Sequence, residues 1–256
     1  MPTQTPAGQA EAGRRAIDQN PGFWYHTIDL APGIATPGLI DLRASAPKVL
    51  PADLAGKRVV DVATFDGFWA FELENRGGSV IATDVSGVEE IEFPPLRREG
   101  VIADSRQSGL ELGAGFRLAA EALGSEVNRI ECNVYDLSPA ALGGPVDFAF
   151  CGALLTHVRD PVKGLERIRD VLVPGGEVRV FEPFSAYLTL ASRRRPSARF
   201  LAHETDYTWW VPNLAGISSW LTAAGFDGIR RVAITRPGSS AFARTPYAAF
   251  TARRPR

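Results

Sequence analysis

From Lys57 onward the chain alternates short β-branched runs with longer amphipathic stretches, the pattern of βαβ units feeding a mostly parallel sheet. Short apolar runs bounded by turn residues read as strands buried on both faces. Five strands are placed, at 58–62 (RVVDV), 79–82 (SVIA), 127–130, 146–151 (VDFAFC) and 177–181. Helical periods fall at 69–75, 116–123 and 161–172. Gly124 is a natural stop for the second, while Pro161 opens the third and Pro174-Gly175-Gly176 follows it. A last amphipathic stretch at 214–224 ends at Gly225, and two β-rich runs at 229–235 and 247–251 read as a terminal hairpin. The expectation is a doubly wound α/β sheet of seven strands, mostly parallel, with an antiparallel terminal strand.

Residues 1–50 form an N-terminal segment and lid, and 51–256 the main domain. The first 22 residues are polar and lack the apolar core of a secretory signal, so a frayed end or a short helix is expected there. Residues 185–212 show no clear period and read as an insertion over the site after the fifth strand. No apolar run reaches the roughly 20 residues of a membrane span, so no membrane role is expected. A net charge of −1 supplies no general pull toward a phosphate backbone, which weighs against nucleic acid as partner. The run Arg193-Arg194-Arg195 is the one local basic stretch, and a solvated loop face accounts for it. Cys132 and Cys151 read as buried strand ends rather than a disulfide framework, which fits a reducing cytoplasm.

Candidate chemistry gathers after the first strand. An open α/β sheet binds ligands beyond the carboxyl ends of its strands, where strand order reverses. There the loop Asp61-Val62-Ala63-Thr64-Phe65-Asp66-Gly67 offers small residues at Ala63 and Gly67, letting a ligand approach the backbone. The dinucleotide spacing G-x-G-x-x-G is absent, so nothing is suited to a pyrophosphate. Asp84 closes the second strand, where a carboxylate can accept from both hydroxyls of a ribose; the alternative is the N-cap of the following turn.

These segments resemble a family. The blocks FWYHTIDLAPGIATPGLIDLR, VVDVATFDGFWAFELE, FRLAAEALGSEV, NVYDLSP, CGALLTHVRDP and WWVPNLAGISSWLTAAGF are similar, in this order, to class I S-adenosylmethionine-dependent methyltransferases. The branch is the one related to the bacterial tRNA wobble-uridine carboxymethyltransferase. The resemblance implies a Rossmann-like fold and S-adenosylmethionine as cofactor. It places Ala63 against the methionine end, Asp84 on the ribose, and Val85, Ser86, Asn133 and Val134 around the adenine. For Asn133 and Val134 a plain strand-end turn is the alternative. Tyr25, Arg43 on the lid and Cys151 at the end of the central strand complete the implied cofactor set. Arg43 either reaches the cofactor carboxylate or is simply exposed. Glycines common in such loops are replaced by Ala63 and Phe65, so the Phe65 ring must point away from the cofactor or reshape the pocket.

The carboxymethyl-transferring relatives hold an extra carboxylate with a Lys, a Tyr and an Arg; here those places fall near Tyr25, Thr156 and Tyr247. A buried carboxylate without cationic partners costs several kcal/mol, so ordinary methyl transfer is expected. The acceptor is expected to be a small molecule, methylated on oxygen: a sugar, glycoside or other secondary metabolite. Modification of a tRNA wobble uridine and a non-catalytic cofactor-binding module are the alternatives. Histidine suits a general base near neutral pH, and the candidates are His157, after the fourth strand, His26 on the lid and His203 in the insertion. Packing against a loop carbonyl is the competing reading for His157. His203, Glu204, Asp206 and Glu182 lack a metal-ligand spacing, so no metal is expected. Phe200, Trp209 and Trp210 either wall an acceptor pocket or pack as core.

Overall fold

The computed structural model describes residues 6–20, 22–238 and 244–256. Helix α1 (Pro6–Gln19) is followed by a small hairpin, β1 (Asp29–Ala31) with β2 (Ile34–Ala35), and by the single turn α2 (Ala46–Val49). The sheet-forming part then runs β3 (Arg58–Val62), α3 (Phe68–Glu74), β4 (Ser79–Asp84), α4 (Pro95–Gln107), α5 (Ala114–Leu123), β5 (Asn128–Glu131), β6 (Val146–Gly152), α6 (Pro161–Val171) and β7 (Leu172–Pro183). After it come α7 (Ala186–Ala191), β8 (Ala198–Phe200), β9 (Trp210–Pro212), α8 (Leu214–Ala223), β10 (Asp227–Thr235) and β11 (Tyr247–Arg253).

Seven strands form one sheet in the order β10-β11-β7-β6-β3-β4-β5. Pairs β3–β4, β3–β6, β4–β5 and β6–β7 are parallel, whereas β11 runs antiparallel to both neighbours. The expected doubly wound sheet is therefore present, with the order reversing between β3 and β6. Strand β3 is apolar on both faces because both are covered. Val59 packs in a cluster with α3, α5 and the lid, while Val60 and Val62 pack with α6 and α8.

Local chemistry sets the helix starts. Asp160 caps α6 by accepting from the Lys163 N–H at 2.9 Å, with Pro161 at the first helical position. Asn213 caps α8 through the Gly216 N–H at 2.7 Å. Gly67 precedes α3 at φ 93°, and a Cβ there would fall 2.5 Å from the Phe71 ring, so only glycine fits.

Three stretches differ from the sequence expectations. The N-terminal segment is a full helix of 14 residues, whose Arg15 pairs with Glu121 on α5. Helix α4 has no buried residue, so it carries no apolar stripe for a pattern to reveal. The insertion is ordered into α7 and the antiparallel pair β8–β9; its strands are too short and exposed to show an alternation. Cys132 is half-buried rather than buried. Among the described residues no helix is long and apolar enough to cross a membrane.

Candidate active site

The loop from Asp61 to Gly67 leaves β3 at the reversal of strand order and turns into α3. Ala63 and Phe65 stand at φ 60° and 52°, left-handed conformations that cost a side-chain-bearing residue about 1–2 kcal/mol each. The loop thus keeps the backbone shape glycines would give. Hydrogen bonds offset the strain: the Phe65 N–H donates to Asp84 Oδ2 at 2.7 Å and the Thr64 N–H to the Thr83 carbonyl at 3.0 Å. Asp84 Oδ1 accepts from the Val85 N–H at 2.8 Å. Burial pushes the Asp84 carboxyl above its usual range, against the pull of these donors.

The lid is tied to the same loop. Asp66 Oδ2 accepts the backbone N–H groups of Tyr25 and His26 at 2.9 and 2.8 Å, and its Oδ1 pairs with His26 Nδ1. The His26 ring is buried and stacks on Phe68. His26 is therefore a latch between lid and loop. Phe65 faces the lid, its ring 6.0 Å from Phe23 and 5.4 Å from Tyr25. Asp61, within the same loop, is marked by no sequence motif. This carboxyl is 1% exposed, its Oδ2 has no partner, and burial pushes its pKa up to about 7. The buried Thr64 hydroxyl lies beside this carboxyl and pulls its pKa the other way. A buried acid at a strand end beside a ligand-binding turn was the available signal.

Across the reversal point, the ends of β6 and β7 build a second half. Glu182 is fully buried, accepts the Leu154 and Leu155 N–H groups at 2.9 and 2.8 Å, and lies 3.5 Å from the Thr156 hydroxyl. Burial pushes its pKa up to about 8. Its oxygens are committed to shaping the turn after β6, where Ala153 stands at φ 52°. The Thr156 carbonyl in turn accepts the Trp209 and Trp210 N–H groups at 2.8 and 3.3 Å, seating the insertion.

His157 follows. Its Nδ1 lies 2.8 Å from the Tyr207 carbonyl oxygen. A carbonyl only accepts, so Nδ1 carries the proton and Nε2 holds the lone pair of the neutral ring. Burial lowers the His157 pKa, with the carbonyl bond pulling the other way, so the ring is neutral near pH 7. Around this half stand three tyrosines from three segments. Tyr25 is pushed up to about 12, chiefly by burial and then by Tyr207 and Asp66. Tyr247 is also raised, chiefly by burial, with Tyr25, Glu182 and Tyr207 close by. Thr156 and Tyr247 thus lie beside Glu182, and Tyr25 lies near Tyr247.

The remaining candidates are dispersed. His203 is exposed beside Glu204 and the Phe200 ring. Arg43 is clamped between Asp29 at 2.6 Å and Asp41 at 2.7 Å. The Ser86 hydroxyl donates to Glu90, Val85 is half-buried, and Asn133 Oδ1 accepts the Tyr135 N–H at 3.0 Å. Val134 packs in the α6 cluster and Cys151 is fully buried in β6, so Cys151 can present only backbone. Trp209 is buried with its indole N–H on the Glu92 carbonyl at 2.6 Å, whereas Phe200 is exposed. Among the described residues no group of three or more His, Cys, Asp or Glu side chains is placed to hold a metal.

Residues 39–230 match the family described as a methyltransferase domain. The chain belongs to this methyltransferase family. Its curated relatives include the tRNA U34 carboxymethyltransferases of Ectopseudomonas mendocina and Methylococcus capsulatus, 26% and 27% identical over 184 and 185 residues. Each alignment covers 72% of this chain and 49% of the relative, so the methyltransferase chain spans about half the length of the curated relatives it matches. Among solved structures, the N-terminal domain of EvdMO1 with SAH bound is similar in fold, at TM-score 0.58, 19% identity and 96% coverage of both chains. A Burkholderia thailandensis 1,6-didemethyltoxoflavin-N1-methyltransferase superposes at TM-score 0.53 and 19% identity, covering 100% of this chain and 93% of its own. S-adenosylmethionine is the cofactor of this methyltransferase. The residues present fit it, because a buried carboxylate oxygen lacking a donor at Asp61 and a carboxylate at Asp84 match a ligand with an ammonium and a ribose diol.

Proposed function

We propose that this methyltransferase acts on a hydroxyl of a small molecule, a sugar, glycoside or other secondary metabolite, in a reducing cytoplasm. The observation that carries the reading is the His157 tautomer: Nδ1–H bound to the Tyr207 carbonyl leaves Nε2 as a base. When bound, S-adenosylmethionine supplies an electrophilic methyl group on a sulfonium that is its own leaving group. Asp84 would hold the ribose, Asp61 the ammonium, and Val85, Ser86, Asn133 and Val134 the adenine, with Ala63 against the methionine end. His157 Nε2 takes the proton of the acceptor hydroxyl as oxygen becomes nucleophilic, a contribution of about 10²–10⁴-fold in such reactions. The lid latched by His26 and Asp66 excludes water from that proton transfer, and the tyrosines orient a polar acceptor.

Methyl rather than carboxymethyl transfer is supported by the lack of a cation among the groups beside Glu182. The places where the relatives hold an extra carboxylate carry Tyr25, Thr156 and Tyr247 beside a buried acid. A second carboxylate there would be taken out of water with no cation to pair it. The test is transfer of labelled methyl from S-adenosylmethionine to a panel of hydroxylated small molecules, with unmodified tRNA in a parallel arm. Turnover on a small hydroxylated molecule is the expected outcome. Labelling of tRNA alone would replace this reading with the nucleic-acid one, and binding of the cofactor with no turnover in a cell extract would leave only a binding module.

A further inference from the structure

A cavity of about 470 Å³ opens on the same edge of the sheet, beyond the second half of the site. Its lining comes from three elements: Ala44, Ser45 and Lys48 around α2, Phe184 and Ala186 after β7, and Ile234, Thr235, Arg236 and Pro246 where β10 ends and β11 begins. Phe184 lies two residues past Glu182, and Pro246 directly precedes Tyr247, so the cavity abuts the acceptor half.

The chemistry of the lining is one-sided. It contains two cations and no acid. Neither Lys48 nor Arg236 forms a salt bridge among the described residues, and residues 239–243, which follow Arg236 closely, are Ser, Ser, Ala, Phe and Ala. Between the cations, the buried hydroxyls of Ser45 and Thr235 are hydrogen-bonded to each other at 3.0 Å, a polar floor already satisfied. The wall is apolar: Phe184, Pro246, the two alanines and Ile234, whose side chain is exposed here although a strand-end isoleucine gains by cover. The volume suits a small organic ligand.

We infer that this cavity binds the anionic end of an amphipathic small molecule, a carboxylate or phosphate carried on an apolar body, between Lys48 and Arg236. Calling that molecule the methyl acceptor rests on the proposed function; the binding itself does not. Arg236 presents a planar fork to the anion and Lys48 a point charge, while the hydroxyl to be methylated extends past Tyr247 toward His157.

Calorimetric titration of the full chain with phenyl phosphate and with benzoate tests the cavity, with benzyl alcohol and inorganic phosphate as controls. At least one aromatic anion should bind more tightly than both controls. Lys48→Ala and Arg236→Ala should each weaken it about tenfold or more, the effect of losing one charge-assisted hydrogen bond, while affinity for S-adenosylhomocysteine stays unchanged. Binding that is indifferent to both substitutions, or no better than inorganic phosphate, overturns the site. If the anions bind as expected but acidic hydroxylated molecules are not methylated while neutral ones are, the assignment of the occupant as acceptor falls and the proposed function stands.

Discussion

The two halves of the site are built by different means. In the cofactor half, the partners of the loop come from the next strand: Phe65 reaches Asp84, and Thr64 reaches Thr83. One βαβ unit contains the loop and these partners. The acceptor half is stitched from distant segments, with Glu182 on Leu154 and Leu155, His157 on the Tyr207 carbonyl, and Asn213 on Ser192, Arg195 and Ser197. Local construction keeps a general ligand site stable while the acceptor side varies, because changing the insertion leaves the loop's hydrogen bonds untouched. The halves should therefore fail separately.

The largest effect is expected at Glu182. Replacing it by Ala leaves two buried N–H groups without an acceptor and a cavity in their place, costing about 3 kcal/mol and roughly 10 °C in melting temperature; turnover should collapse with the turn at 153–156. Glu182→Gln sharpens the point by pH. The folded state keeps the carboxyl neutral up to about pH 8, whereas the unfolded chain ionises it near its ordinary value. Stability therefore falls as pH rises between the two values. The melting temperature of the parent should drop more steeply across that window than that of the Gln variant; parallel curves would mean that the carboxyl is already ionised when folded.

His157→Ala should lower turnover about 10²-fold or more with affinity for S-adenosylhomocysteine within a few-fold. Because burial lowers the His157 pKa, kcat/KM of the parent should have reached its plateau by pH 7 and decline only at more acidic pH. Near-normal rates in the variant from pH 6 to 9 would reduce His157 to a packing residue.

Asp84→Ala should weaken S-adenosylhomocysteine by about 1.5–3 kcal/mol, the loss of hydrogen bonds to a charged acceptor. Calorimetry reads it, and unchanged affinity would remove Asp84 from the ribose. The smallest effect belongs to Phe65→Gly, where relief of a left-handed φ opposes the loss of ring contacts with Phe23 and Tyr25. Stability should change by less than about 1 kcal/mol. Limited proteolysis should nevertheless cut the lid sooner, and equal rates would show that Asp66 alone holds it.

The same contrast governs what could be read from the residues. Strands β3, β4 and β6 were legible because burial on both faces leaves short apolar runs, and Asp84 was legible as a strand-end carboxylate. The direction of Phe65 was posed as a choice and decided by lid residues forty positions away. His157 was visible as a histidine in a turn, but its tautomer depends on a carbonyl of the insertion. The latch at Asp66 is not legible in the sequence because it takes backbone N–H groups, which no side-chain pattern advertises.

Helix α4 has one more consequence. With no buried residue, it is held by Arg106 on Glu89, Arg98 on the Ile91 and Glu89 carbonyls, and Arg97 near Asp206 of the insertion. Such attachments are weakened by screening ions, while apolar contacts are not. Its amides should accordingly exchange with deuterium through a local opening far below the global unfolding energy, and exchange should quicken as salt is raised. The segment joining β4 to the rest of the cofactor half would then loosen with ionic strength, while the sheet beneath it stays closed.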